Sequence, residues 1–196
     1  MIILATSNIG KINEYKEIYP YFDYKVLDKK LDIDENGSTY LENAFIKASA
    51  VYQSLDKKLP VLSDDSGIEI LALNNFPGIY SSRFANTIST NERNALVLEK
   101  LKNKKDRRAR FVCVICLIDR EGNKYYGKGI VNGTIATKIR GDKGFGYDPI
   151  FIPDGYDKTF GELGDEIKNT LSHRGNAFKD LLTKLPLKFM RYEKHD

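Results

Sequence analysis

The sequence predicts an α/β protein with a mixed β-sheet and helices. Strand-like and helix-like patterns alternate through the first part of the chain, and a strand–turn–strand unit follows between Arg110 and Ile135. Alternation of that kind builds parallel pairs, whereas a short turn joins antiparallel ones. With 196 residues, 41% of them hydrophobic and 30% charged, one domain over residues 1–196 can enclose a core beneath a charged surface.

Met1 to Thr6 reads as the first strand. It lacks the basic flank and cleavage site of a targeting segment, and no apolar run in the chain is long enough to span a bilayer, so a cytoplasmic protein that does not engage membranes is expected. A helix follows from about Gly10 to Tyr19 and stops at Pro20, and Tyr24 to Leu27 is a second strand. After the loop Asp32 to Gly37, Thr39 and Glu42 form a T-x-x-E capping box that opens the clearest helix. Leu41, Phe45, Ala48, Tyr52 and Leu55 recur at helical spacing and predict its buried stripe, which leaves Asn43 and Lys47 together on another face. The short apolar run Pro60 to Leu62 is a further strand. A helix is expected over Asn91 to Lys102. A buried strand over Arg110 to Ile118 then meets a second over Lys124 to Ile135 across the turn Arg120 to Asn123. Gly127, Gly129 and Gly133 weaken the second of these, or mark bends and close backbone approaches. The last helix carries Phe178, Leu181, Leu182 and Leu185 and stops at Pro186.

The two cysteines, Cys113 and Cys116, have C-x-x-C spacing but sit inside the predicted strand. Residues an odd number apart point to opposite faces of a strand, so the thiols diverge, and no second cysteine pair completes a zinc site. The net charge of +4 suits polyphosphate as well as nucleic acid. The dense basic run Lys104 to Arg110 contains no aromatic residue and reads as a solvated connection, with a nucleic-acid surface as the alternative.

Several segments carry chemistry. Asp64 and Asp65, followed by Ser66 and Gly67, place two carboxylates after a strand. Adjacent like charges suggest a cation beside them, although Asp, Ser and Gly are also turn residues. Thr6, Ser7, Asn8, Ile9, Gly10 and Lys11 join the first strand to the first helix, where backbone N–H groups and Lys11 suit an anion. An ordinary helix cap explains the same residues, and the segment is not a Walker A loop. The run Gly141 to Pro149 interleaves glycines with Phe145 and Tyr147, either to fold around a flat ligand or to plug the core. Lys168, His173 and Arg174 offer donors near the last helix, with a Ser172 cap as the structural alternative. Asp34 and Glu35 lie in the loop before the capped helix, as surface charges or as a second metal carboxylate.

Taken together these segments resemble the inosine triphosphate pyrophosphatase family. The resemblance runs in one order along nearly the whole chain: T-x-N-x-G-K at Thr6 to Lys11, E-N-A-x-x-K at Glu42 to Lys47, and D-D-S-G at Asp64 to Gly67. P-G-I-Y-S-x-R at Pro77 to Arg83, G-F-G-Y-D-P at Gly144 to Pro149 and S-H-R-G at Ser172 to Gly175 complete it. It implies a long mixed β-sheet flanked by helices, two lobes around a deep cleft, a homodimer, and Mg²⁺-dependent hydrolysis of ITP, dITP or XTP to the monophosphate and pyrophosphate. Carried over residue by residue, it makes Asp65 a metal ligand and general base. Asp34 becomes the second metal carboxylate, with Glu35 beside it as the alternative. The triphosphate falls to Asn8, Lys11 and Lys47, within a substrate segment Thr6 to Lys11. Ser66, Phe145, Gly146, Tyr147, Asp148, Lys168, His173 and Arg174 are implied to line the nucleotide site, with His173 and Arg174 reading the 6-oxo group. Ser7 and Lys143 stand where many members carry glycine, which puts local loop geometry in question. A pyrophosphatase for other modified nucleotides is the enzymatic rival. A nucleic-acid-binding module at the basic run is the other, and it leaves the acidic pair unexplained.

Overall fold

The computed structural model describes residues 1–27, 31–56, 58–85 and 88–186. Its strands are β1 (Ile2–Leu4), β2 (Tyr24–Val26), β3 (Val61–Ile70), β4 (Phe76–Pro77), β5 (Arg108–Ile118), β6 (Lys124–Ile135) and β7 (Phe151–Pro153). Its helices are α1 (Ile9–Ile18), α2 (Tyr40–Ser54), α3 (Thr90–Lys100), α4 (Phe160–Leu163), α5 (Asp165–Leu171) and α6 (His173–Leu182). The strands form one seven-stranded sheet in the order β2-β1-β3-β5-β6-β7, with β4 paired to β3. It is mixed: β1 runs parallel to β2 and β3, while β4 on β3 and β7 on β6 are antiparallel.

The described residues divide into two units, one drawn from residues 1–65, 113–129 and 174–186 and the other from 66–112 and 130–173. In the first unit strand alternation sorts side chains onto two faces. Ile2, Leu4, Leu62, Cys113, Ile115 and Leu117 meet Tyr15 of α1 and Phe178 and Leu181 of α6. Ile3, Ala5, Val61, Cys116 and Ile118 meet Ala44, Ala48 and Val51 of α2. Burial of side chains such as Phe178 and Leu181 contributes about 1.5–3 kcal/mol each. The sequence-predicted stripe of α2 packs as expected at Phe45, Ala48, Tyr52 and Leu55 and is corrected at Leu41. Leu41 is 45% exposed, while Asn43 is fully buried beside the small residues Ala44 and Ala48. Those alanines bring the helix backbone close enough for the Ser63 hydroxyl to donate to the Ala44 carbonyl. Thr39 caps α2 as expected, but the Glu42 carboxylate reaches the Ser38 N–H and hydroxyl rather than closing the box on Thr39.

Gly127 marks a close approach: a Cβ there would lie 2.1 Å from the Ala177 carbonyl of α6. The turn at Arg120 to Asn123 forms, and the buried Asp119 carboxylate gathers the N–H groups of Glu121 and Asn123 beneath it. In the second unit Ile68 and Ile70 of β3, Val97 of α3, Leu101 at the C-cap of that helix, and Phe111, Phe151 and Phe160 make one core. Ser89 and Glu92 cap α3 reciprocally, one residue earlier than its predicted start.

Candidate active site

Asp64 and Asp65 do not sit in a turn or at a strand end. β3 continues through them to Ile70, so consecutive side chains leave on opposite faces. A second observation explains the glycine of D-D-S-G. In the second unit a Cβ at Gly67 would lie 2.1 Å from the Gly78 carbonyl, and the Ser81 hydroxyl accepts from Ile68 N–H at 2.9 Å. The P-G-I-Y-S segment is thus the packing partner of the strand that carries the acidic pair.

Asp64 faces α1 and α6. Its Oδ2 accepts from Lys11 Nζ at 2.8 Å and Arg174 Nη2 at 3.2 Å, with the Cys113 thiol at 3.8 Å. Burial alone would raise this carboxyl, but the Lys11 ammonium, the Arg174 guanidinium and Lys47 outweigh it and hold it well below the usual carboxylate range. Arg174 is 1% exposed and also donates Nη1 to Glu14. Burial disfavours its charge, yet Glu14 and Asp64 more than restore it. The Arg174 guanidinium, expected to read a base edge, is enclosed in the first unit between the Glu14 and Asp64 carboxylates.

Asp65 faces α2. Its Oδ2 accepts from Asn43 Nδ2 at 3.1 Å, and Oδ1 lies 3.7 Å from Lys47 Nζ. Here burial prevails over Lys47, Lys11 and the Asn43 bond, and the carboxyl is raised above its ordinary value. Burial would strip the charge from Lys47, but Asp65, Asp64 and Glu35 restore it and leave its pKa raised. Lys47 bonds Glu35 at 2.9 Å, so the helix face carrying Asn43 and Lys47 turns toward the acidic cluster and is not a solvated one. The two candidates for the second carboxylate lie in different surroundings. Asp34 is exposed and accepts from Asn36 at 3.3 Å, whereas Glu35 turns toward the cluster.

At the start of α1 the Asn8 side chain accepts from Lys11 N–H at 3.2 Å, and Thr6 Oγ1 accepts from Asn8 N–H. The segment is therefore a cap, and it also aims Lys11 at Asp64. Ser7 and Ile9 are exposed and Gly10 is half-buried. In the second unit Lys168 Nζ lies 2.7 Å from Asp148 Oδ2, both side chains being 3% exposed, and 4.1 Å from the centre of the half-buried Phe145 ring. Asp148 Oδ2 also accepts from Phe145 N–H. Tyr147 takes the core-plugging role, its hydroxyl donating to the Ser81 carbonyl at 2.9 Å. His173 is buried and stacks on Phe111 at 4.8 Å. Ser66 is half-buried and Gly146 takes a positive φ.

Among the described residues no three His, Cys, Asp or Glu side chains converge as a metal cage. Mg²⁺ does not need one, since it takes one or two carboxylates and completes its shell with water and phosphate oxygens. Asp65 supplies such a hard oxygen, and Asp64 Oδ1 is buried with no hydrogen-bond partner among the described residues. The donor set fits a hard cation that arrives with polyphosphate. The basic run does not form a free cationic patch: Arg107 donates to the Leu101, Ile135 and Ala136 carbonyls, Arg108 pairs with Asp106, and Arg110 with Glu69. Sequence reasoning missed Glu14 and Asn43 as members of the cluster. The i, i+4 spacing of Asn43 and Lys47 was the available signal; for Glu14 there was none, because its partner lies far along the chain.

A Ham1 family model matches residues 2–184. A dITP/XTP pyrophosphatase from Aquifex aeolicus is 42% identical, the match covering 92% of this chain and 94% of that protein. Another, from Deinococcus radiodurans, is 44% identical over 92% of this chain and 90% of that one. The solved structure of the Staphylococcus aureus Ham1 protein superposes with a TM-score of 0.80 at 41% identity, covering 98% of this chain and 99% of that one.

Proposed function

This chain belongs to the Ham1 family, and we propose that it hydrolyses ITP, dITP and XTP to the nucleoside monophosphate and pyrophosphate, removing non-standard purines from the nucleotide pool. Relatives similar over nearly the full length are named dITP/XTP pyrophosphatases, and those names point to this reaction. The observation that carries it is Asp65: a buried carboxyl raised above its ordinary value, oriented by Asn43 and set beside Lys47.

In this reading Lys11 and Lys47, with the N-terminus of α1, take the triphosphate and offset the charge that shifts onto pyrophosphate. Mg²⁺, held by Asp65 with Glu35 as second carboxylate, supplies Lewis-acid neutralisation of the phosphate oxygens when bound. Asp65, oriented by Asn43, takes a proton from the water that attacks the α-phosphorus. The bond from the α-phosphorus to the bridging oxygen breaks, and the electron pair leaves with pyrophosphate. Phe145 offers a ring for stacking, while Lys168 and His173 are the donors for a 6-oxo group. Adenine would set its N6 amino group against those donors, which costs about 1–3 kcal/mol. Guanine shares the 6-oxo group, so its rejection rests on the 2-position.

Turnover of ITP, XTP, GTP and ATP with and without Mg²⁺, assayed separately for pyrophosphate and orthophosphate, tests the reading. Mg²⁺-dependent pyrophosphate release that favours ITP and XTP is expected. Orthophosphate release, or indifference to the base, overturns the cleavage position or the specificity. We also assign a cytoplasmic homodimer, which sedimentation checks. Among the described residues no helix is long and apolar enough to cross a membrane.

A further inference from the structure

We propose that Glu14 is a positioning residue for the phosphate end of the site, acting through Arg174 and Asp64 on Lys11. The inference rests on the reading above, in which Lys11 holds the triphosphate.

Lys11 and Glu14 lie three residues apart on α1, so they share one helix face and both point toward β3 and α6. They enter the same ionic chain from opposite ends. Glu14, 4% exposed, accepts from Arg174 Nη1. Arg174 Nη2 and Lys11 Nζ then meet on a single oxygen, Asp64 Oδ2, at 3.2 Å and 2.8 Å. Two cations on one carboxylate oxygen compete for it. The share of the guanidinium that Glu14 draws off decides how much of Asp64 is left to hold Lys11.

A buried ion chain contributes little net stability compared with apolar side chains of equal volume. What it provides here is geometry: the Lys11 side chain is 14% exposed and its ammonium has a fixed position. Fixing a charged group before the ligand arrives removes the ordering cost from binding. Without the Glu14 charge, the guanidinium fork turns fully onto Asp64, where bidentate pairing is favoured, and displaces Lys11 from the shared oxygen. Lys11 then meets the triphosphate from many positions instead of one.

The test is a double-mutant cycle on ITP hydrolysis. Glu14→Gln should raise KM on the order of ten-fold with a much smaller change in kcat, the pattern of lost ground-state binding. In a Lys11→Ala background the same substitution should leave KM unchanged. A merely structural role would lower the folded fraction, and hence apparent kcat, equally in both backgrounds without moving KM. Glu14→Asp keeps the charge on a shorter stem and should show a smaller effect of the same kind, which preserves the test if the glutamine variant does not fold. No KM change in either variant, or equal KM changes with and without Lys11, overturns the proposal. If the wild-type protein does not turn over ITP, the functional reading fails by itself. Calorimetric affinity for magnesium pyrophosphate then reads the same cycle: a Glu14 effect confined to protein carrying Lys11 sustains the coupling, and an effect independent of Lys11 removes it.

Discussion

The two faces of β3 carry one aspartate each, and their carboxyls are pushed in opposite directions. Asp64, 2% exposed, receives two cations within hydrogen-bond distance and is held low. Asp65, 5% exposed, receives a neutral amide and one ammonium at 3.7 Å and is raised. Burial raises both carboxyls, and at Asp65 it prevails, whereas at Asp64 the cations outweigh it. The number and closeness of the cations make the difference. One face of the strand therefore holds a permanent anion that organises α1 and α6, and the other holds a carboxylate suited to accept a proton.

The largest expected effect tests the second face. Asp65→Asn should lower ITP turnover by about 10²–10⁴-fold, the usual worth of a general base, with more lost if metal binding fails too. Its thermal midpoint should stay level or rise, because the amide carries no charge to desolvate. Turnover near wild type would remove Asp65 from the chemistry. Next comes the opposite face. Asp64→Asn leaves Lys11 and Arg174 against a neutral amide, and breaking a buried pair in this way costs about 3–5 kcal/mol, read by urea denaturation. If Asp65→Asn destabilises the protein more than Asp64→Asn, the contrast between the faces is broken.

Acid titration of the metal-free protein sharpens the same contrast with a smaller effect. The folded pKa of Asp64 is depressed, so its stabilisation is complete above the unfolded value of about 4 and is lost as pH falls below it. The folded pKa of Asp65 is raised, so its contribution is destabilising above that value and is relieved as pH falls through it. Asp64→Asn should therefore flatten the loss of stability on acidification, and Asp65→Asn should steepen it. Parallel slopes in the two variants would show that the faces do not differ electrostatically.

Much of this arrangement was legible in the sequence because it is local. Odd spacing placed Cys113 and Cys116 on opposite faces of β5, and the Thr39 cap fixed the start of α2. The partners were not local. Glu14 and Arg174 are 160 residues apart, and no periodicity relates them. The face of α2 was misread at its first turn, because large apolar residues suggest burial, whereas Asn43 and Ala44 approach the sheet there and Leu41 stays outside. Asp34 and Glu35 were indistinguishable by spacing, and only Glu35 pairs with Lys47, a contact between α2 and the loop before it that no local pattern encodes.

The smallest expected effect concerns the thiols, which lie one on each side of the same sheet. Cys113 shares the Asp64 face with Ile115 and Leu117, and Cys116 shares the other with Ile118 and Val51. Burial pushes the Cys116 thiol up to about 12 and the Cys113 thiol higher still, with the Asp64 charge adding to the second. At neutral pH neither presents thiolate, the reactive form. A neutral thiol reagent should leave the native protein unlabelled and modify both cysteines once it unfolds, and oxidants should form no internal disulfide, since the side chains diverge across the strand. Fast labelling of Cys113 alone would mean that the Asp64 face opens to solvent more readily than the Asp65 face. The ion chain would then be the looser side of the sheet, and Asp64 could not be the fixed anion on which Lys11 depends.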